Sequence, residues 1–192
     1  MPKNYAKQNN ISILLSMCYN VITYKIKRNE RLLKMKLYIK QHIFTWGDKF
    51  TVYDEQGNDC FYVWGEVFSW GKKLHLTDLC NNDLAYIRQK VWTFLPRYYI
   101  FRGDLQLAEV TKEFTFFRSE YSVSGLDWTV SGDFFGHDYT VDSRFGTVAT
   151  VSKKWFTLGD AYEIDIADGI DPVNAISVVL VIDACIEAQN NS

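Results

Sequence analysis

One phrase is written six times along this chain. Residues 44–52 read F-T-W-G-D-K-F-T-V, and residues 156–164 read F-T-L-G-D-A-Y-E-I. Between them lie F-S-W-G-K-K-L-H-L, W-T-F-L-P-R-Y-Y-I, T-F-F-R-S-E-Y-S-V and D-F-F-G-H-D-Y-T-V. Aligned on the apolar residue after the turn, the anchors are Phe50, Leu74, Tyr98, Tyr121, Tyr139 and Tyr162, spaced 24, 24, 23, 18 and 23 residues apart. A nearly fixed period is the mark of an internally repeated architecture.

Each copy reads as strand, turn, strand. Gly47, Gly71, Gly136 and Gly159 share one turn position and Pro96 marks it in the third copy, the residues that punctuate tight turns. Behind the turn, Phe50/Val52, Leu74/Leu76, Tyr98/Ile100, Tyr121/Val123, Tyr139/Val141 and Tyr162/Ile164 alternate with polar residues, the period of a half-buried strand. A second set of turns separates the copies: D-E-Q-G-N-D, L-C-N-N-D, R-G-D and D-S-R-F-G. Two turns per repeat make a chain of hairpins, and six hairpins make twelve strands. Twelve antiparallel strands hide their edges by closing. Propeller blades need longer repeats, and solenoid strands run parallel.

A barrel that wide needs a filler. The segment D-P-V-N-A-I-S-V-V-L-V-I-D-A-C-I-E offers Asp171 as N-cap and Pro172 as first helical residue, a helix start signal. Val, Ile and Leu then occupy all sides, as in a helix buried all round. Residues 172–187 span ~24 Å as a helix, short for a membrane span. Val178, Leu180, Val181 and Ile182 are placed in the interior. Its β-branched content leaves a further strand as the competing reading. The expected fold is therefore mainly β: a closed twelve-stranded antiparallel barrel of six hairpins around a central, buried C-terminal α-helix.

Charge divides the chain. Residues 1–34 carry seven basic residues against Glu30, net +6, which leaves residues 35–192 with 14 basic and 22 acidic groups, net −8. Such a body does not hold a nucleic-acid backbone or an anionic membrane by its overall field, and would need a local patch to do so. The run from Ile11 to Val21 behind Lys3 and Lys7 hints at a signal peptide, but asparagines flank it and no small-residue cleavage site follows. The repeat pattern begins just after Met35, so residues 1–34 are expected to be a basic, disordered extension or to precede the true start. Residues 35–189 form one barrel domain. Cys18, Cys60, Cys80 and Cys185 stand far apart and read as free, mostly buried thiols of a cytoplasmic protein. No transmembrane segment is expected.

The segments Q-G-N-D-C-F-Y-V-W-G, D-L-A-Y-I-R-Q-K, A-E-V-T-K-E-F-T-F-F, V-S-K-K-W-F and D-I-A-D-G-I-D, ahead of the apolar C-terminal segment, together resemble the LURP-one-related family. That family belongs to the tubby-like C-terminal superfamily with the phospholipid scramblases. The resemblance covers Met35 to about Ala188. It implies a twelve-stranded barrel threaded by a central helix. It also implies a link to phosphoinositide headgroups, membranes and calcium through the tubby-type and scramblase relatives, and no settled chemistry.

No G-x-S-x-G, P-loop or H-E-x-x-H is present. His42, His75 and His137 fall in different repeats, and Arg102-Gly103-Asp104 reads as a hairpin turn. No enzymatic activity and no cofactor are expected. Arg88, Lys90, Lys112, Lys153 and Lys154 precede the aromatic turns of the third, fourth and sixth copies. At similar heights on the wall they are candidates to chelate an anionic ligand such as a phosphate-bearing headgroup, or to pair with acids such as Glu109 and Glu113. Lys72 and Lys73 read as turn residues that aid solubility. Asp165, Asp168 and Asp171 flank a Gly turn and could offer oxygens to calcium, or complement the helix dipole instead. The expected function is a non-enzymatic binding module of the LURP-one-related type, at the membrane periphery and recognising phospholipid headgroups. The alternative is a soluble protein-interaction barrel without a small ligand.

Overall fold

Alternation gives each strand an inner and an outer face, and closure puts the inner faces around one core. The computed structural model of the chain describes residues 35–40, 49–67, 69–113, 120–156 and 159–190. Residues 1–34, with the extension and Cys18, lie outside the described residues, as does His42. Twelve strands follow in chain order: β1 (Met35–Lys40), β2 (Lys49–Asp54), β3 (Asp59–Gly65), β4 (Lys73–Thr77), β5 (Asp83–Gln89) and β6 (Arg97–Arg102), then β7 (Leu105–Glu113), β8 (Glu120–Ser124), β9 (Trp128–Asp133), β10 (Asp138–Ser143), β11 (Gly146–Phe156) and β12 (Gly159–Ile166). Each pairs antiparallel with its neighbours, and β1 closes the barrel by pairing with both β2 and β12.

The six repeat anchors form one inward ring, and all are buried. Two residues further on, Val52, Leu76, Ile100, Val123, Val141 and Ile164 form a second ring that is also buried. In four repeats the ladder slips immediately after this second ring, at Val52/Tyr53, Leu76/Thr77, Ile100/Phe101 and Val141/Asp142. A bulge bends and twists its strand. Recurring at one height, it supplies curvature for closure. The turns share chemistry as well. Asp54 Oδ1 accepts the backbone N–H groups of Gln56 and Asn58 at 3.0 and 2.9 Å, and Asp78 Oδ1 does the same for Cys80 and Asn82 at 2.8 Å each. Arg102-Gly103-Asp104 is the tight β6–β7 turn, with Gly103 at φ 57°.

The C-terminal segment is a helix, α1 (Pro172–Asn190). Asp171 caps it through Oδ1 to the Val173 N–H at 2.9 Å. Arg102 holds the same end, reaching Asp171 Oδ2 at 3.0 Å and Asn174 Oδ1 at 2.9 Å. Ala175 to Cys185 are buried on every side, with Val178, Leu180, Val181 and Ile182 fully enclosed. A 19-residue helix is ~28 Å long. It is long and apolar enough to cross a membrane, but here it is mostly buried inside the protein. Because α1 begins just past β12, its N-terminus shares one end of the barrel with the β2–β3, β4–β5 and β6–β7 turns. Its C-terminus emerges at the other end, with the β3–β4, β5–β6 and β9–β10 loops. That second end is called the mouth.

Candidate functional site

At the mouth the inner wall turns polar. Register decides which way a side chain points, because directly paired residues share a face. Lys112 on β7 pairs with Tyr121, and Lys153 on β11 pairs with Tyr162, so both lysines belong to the inward ring of the anchors. Lys72 has the inward parity of Leu74. Its ammonium meets Glu187 of α1 in an ion pair, and Lys112 Nζ donates to Gln189 Oε1 at 3.2 Å. The last turn of α1 holds no basic residue of its own. Lysines from the wall thus face the negative end of the helix. Lys72 is not the turn residue that its place beside Gly71 implies: it is largely buried, and burial pulls its pKa down to about 8, against the pull of the Asp183 carboxylate.

Behind the lysines lies a buried polar cluster. Asp183 of α1 is only 5% exposed. It accepts a hydrogen bond from the Tyr162 hydroxyl, and His137 Nε2 stands 3.5 Å from its other oxygen. The His137 ring stacks on Tyr162 with centroids 4.7 Å apart. Tyr139 Oη and His137 Nδ1 have no hydrogen-bond partner among the described residues. Burial, then the Asp183 charge, pushes the phenols of Tyr139 and Tyr162 well above their ordinary pKa. Burial likewise raises Tyr98 and Tyr121 and pushes the Cys185 thiol up to about 12. A thiol so raised is a poor nucleophile. The expectation of mostly buried thiols holds for Cys185, while Cys60 is half-buried and Cys80 exposed.

The other basic candidates face outward. The Arg88 guanidinium lies 5.2 Å from the Phe101 ring and 6.0 Å from the Tyr99 ring. Lys90 Nζ lies 5.9 Å from Tyr99. Both are exposed, and neither pairs with a carboxylate among the described residues. Lys154 Nζ is 3.5 Å from Glu163, which also holds Lys36 at 3.1 Å and Tyr38 Oη at 2.7 Å. Burial pushes Glu163 up, but the hydrogen bonds from Tyr38 and Lys36 outweigh it and hold the carboxyl below its usual range. The five candidates therefore share a height and divide between two faces: Lys112 and Lys153 inside, Arg88, Lys90 and Lys154 outside. The acids expected beside them are engaged elsewhere, Glu109 with Arg97 at 2.9 Å and Glu113 with the Ser122 hydroxyl.

The aspartates are not gathered. Among the described residues no group of three or more His, Cys, Asp or Glu side chains is placed to hold a metal ion. Asp165 lies on β12 opposite Lys36 and Thr150, Asp168 is exposed in the turn, and Asp171 is committed to its cap and to Arg102. His75 and His137 lie apart: His75 stacks flat on Trp64 at 3.9 Å and reaches Glu66 at 3.2 Å. Sequence reasoning missed Asp183 and the inward turn of Lys72. Counting by two from Leu74 would have found Lys72, while a single acid in an apolar helix gave no periodic signal.

A closed antiparallel barrel filled by its own C-terminal helix, with cations gathered about one end, is a binding module in kind. The chain belongs to the LURP-one-related family, whose model matches residues 35–183. Among curated proteins it is similar to YxjI of Bacillus subtilis (strain 168), an uncharacterized protein: 35% identity over 149 residues, 78% of this chain and 92% of that one. Among solved structures it resembles an X-ray structure of a protein from Arabidopsis thaliana, with a TM-score of 0.55 and 19% identity over 79% of this chain and 92% of the other. That likeness is one of fold.

Proposed function

We propose that the barrel is a non-enzymatic binding module for an anionic ligand, a phosphate-bearing phospholipid headgroup at the periphery of a membrane on its cytoplasmic side. One observation carries this reading. Arg88 and Lys90 are exposed cations held over the rings of Tyr99 and Phe101 rather than neutralised by carboxylates. A cation poised on an aromatic face keeps its N–H donors for a phosphate, and an Arg fork binds phosphate with two parallel hydrogen bonds. The inward lysines serve the reading less well, because Glu187, Asp183 and the helix terminus already balance them.

Co-sedimentation with phosphatidylcholine vesicles, with and without a phosphoinositide, tests it. The full chain is expected to bind the phosphoinositide vesicles, and Arg88→Gln/Lys90→Gln to weaken that binding about tenfold or more, at ~1 kcal/mol for each cation near the surface. Lys154→Gln, a change at a cation paired with Glu163, is expected to matter little. Equal binding by all three proteins would refute the assignment. An absence of binding by the unmodified chain would leave a soluble protein-interaction barrel.

A further inference from the structure

Five of the ten large apolar residues that stand exposed among the described residues sit in two loops at the mouth: Val67 and Trp70 between β3 and β4, and Val91, Trp92 and Phe94 between β5 and β6. Trp70, Trp92 and Phe94 are 82, 89 and 94% exposed. The loops touch. A Cβ added at Gly71 would meet Val91 Cγ1 at 2.6 Å, the Lys72 N–H donates to Gln89 Oε1 at 2.8 Å, and the Gln89 N–H donates to Lys72 O at 2.8 Å. The two loops therefore stand side by side and carry these apolar residues at one place on the mouth. Scattered single apolar residues on a surface need no explanation, but five concentrated on two adjoining loops mark an interaction site.

Trp92 adds a second, independent observation. Its backbone sits at φ 61°, a left-handed conformation that bulky residues rarely adopt. Held strain of this kind clusters at functional positions. It is not compensated here by packing, since the indole is in solvent.

We infer that the β3–β4 and β5–β6 loops are a bilayer-insertion surface, with Trp70, Trp92 and Phe94 entering the lipid interface. The inference rests on the membrane reading above and names how the protein docks. Shape favours lipid: the aromatics stand on loop tips, and a bilayer accepts protruding tips without a complementary groove. Charge favours it as well. Arg88 and Lys90 lie on the wall beside the same loops, so that aromatic tips in the interface would bring both cations to the phosphate level. Trp and Phe partition to that interface, and cations one layer back meet anionic headgroups.

The test uses the full chain with vesicles of phosphatidylcholine and of equimolar phosphatidylcholine and phosphatidylserine, each prepared also with brominated acyl chains. Bromine quenches only tryptophans that reach the acyl region. The expected result is quenching of the unmodified protein on the anionic vesicles, with binding weakened about a hundredfold in Trp92→Ser/Phe94→Ser, as loss of two inserted aromatics requires. Trp92→Phe, which keeps the apolar tip and removes a reporter, is expected to sediment as the unmodified chain does. Both changed side chains are in solvent, so the variants are expected to keep the parent melting temperature. Binding that depends on Arg88 and Lys90 but shows no quenching and ignores the loop variant would overturn insertion and leave the headgroup reading standing. Quenching and loop dependence on both vesicle types, with Arg88→Gln/Lys90→Gln unchanged, would uphold insertion and remove the headgroup reading. No vesicle binding would overturn the inference, and a concentration-dependent dimer lost in Trp92→Ser/Phe94→Ser would assign the patch to a second copy.

Discussion

Tyr139 and Tyr162 make a matched pair for asking what a buried hydroxyl is worth in this barrel. They are repeat anchors at the same height, equally buried, and Phe fills either site without a change in packing. They differ in one respect. The Tyr162 hydroxyl donates to the Asp183 carboxylate, and the Tyr139 hydroxyl has no hydrogen-bond partner among the described residues. Removing the donor to a buried, charged acceptor costs about 2–3 kcal/mol, because the carboxylate keeps its desolvation penalty and loses its compensation. Removing an unpartnered buried hydroxyl is neutral, or stabilising by up to about 1 kcal/mol. For a chain of this length about 1 kcal/mol moves the melting temperature by about 2–4 °C. Tyr162→Phe is therefore expected to melt roughly 4–12 °C below the parent, and Tyr139→Phe at or slightly above it, by circular dichroism or calorimetry. Equal shifts, or a larger loss for Tyr139→Phe, would show that the Asp183 contact does not carry the difference.

Three further outcomes follow from the same structure. The phenols of Tyr98, Tyr121, Tyr139 and Tyr162 are raised in the folded state, so the native protein holds protons that the unfolded chain releases above about pH 10. Stability then falls as pH rises, at up to about 5 kcal/mol per pH unit for four groups, and the share of phenolate absorbance that belongs to these four of the twelve tyrosines should appear together with loss of ellipticity. Leu180→Asp puts an unpaired carboxylate at a fully enclosed helix position and is expected to abolish cooperative unfolding in a denaturant titration, at a cost of several kcal/mol. Gly132→Ala sets a Cβ 2.6 Å from both the Asp138 carbonyl oxygen and Tyr139 Cα, at φ 141°. Backbone lies on both contacts, so more than about 2 kcal/mol of stability should be lost, measured as a drop in denaturation midpoint.

The fold was legible because its information is periodic. Six anchors at a steady spacing fixed the hairpin count, and Asp171-Pro172 marked the start of α1. The site was legible only in height. Lys112 and Lys153 lie in step with the inward residues Val110 and Val151, yet a lysine is ordinarily placed on the solvated face, and only the neighbouring helix terminus explains why these turn inward. Asp183 was hidden because a single acid in an apolar helix breaks no pattern. The left-handed backbone of Trp92 was hidden because nothing in V-W-T-F-L-P demands it. The recurrent bulge after Val52, Leu76, Ile100 and Val141 escaped notice because hydrophobic alternation continues through the residues before it.

The filler of the barrel is also the last part of it to be synthesised. Until β12 has left the ribosome β1 has no partner to close against, and until Pro172 to Asn190 have followed it the strands enclose nothing. Non-local closure of this kind is slow and leaves apolar surface and strand edges exposed meanwhile. Folding of the barrel is thereby deferred until α1 has emerged. A chain cut short before Pro172 lacks the helix that fills its barrel, whatever the length of its repeats, and the distinction between a filled and an empty barrel is made by α1.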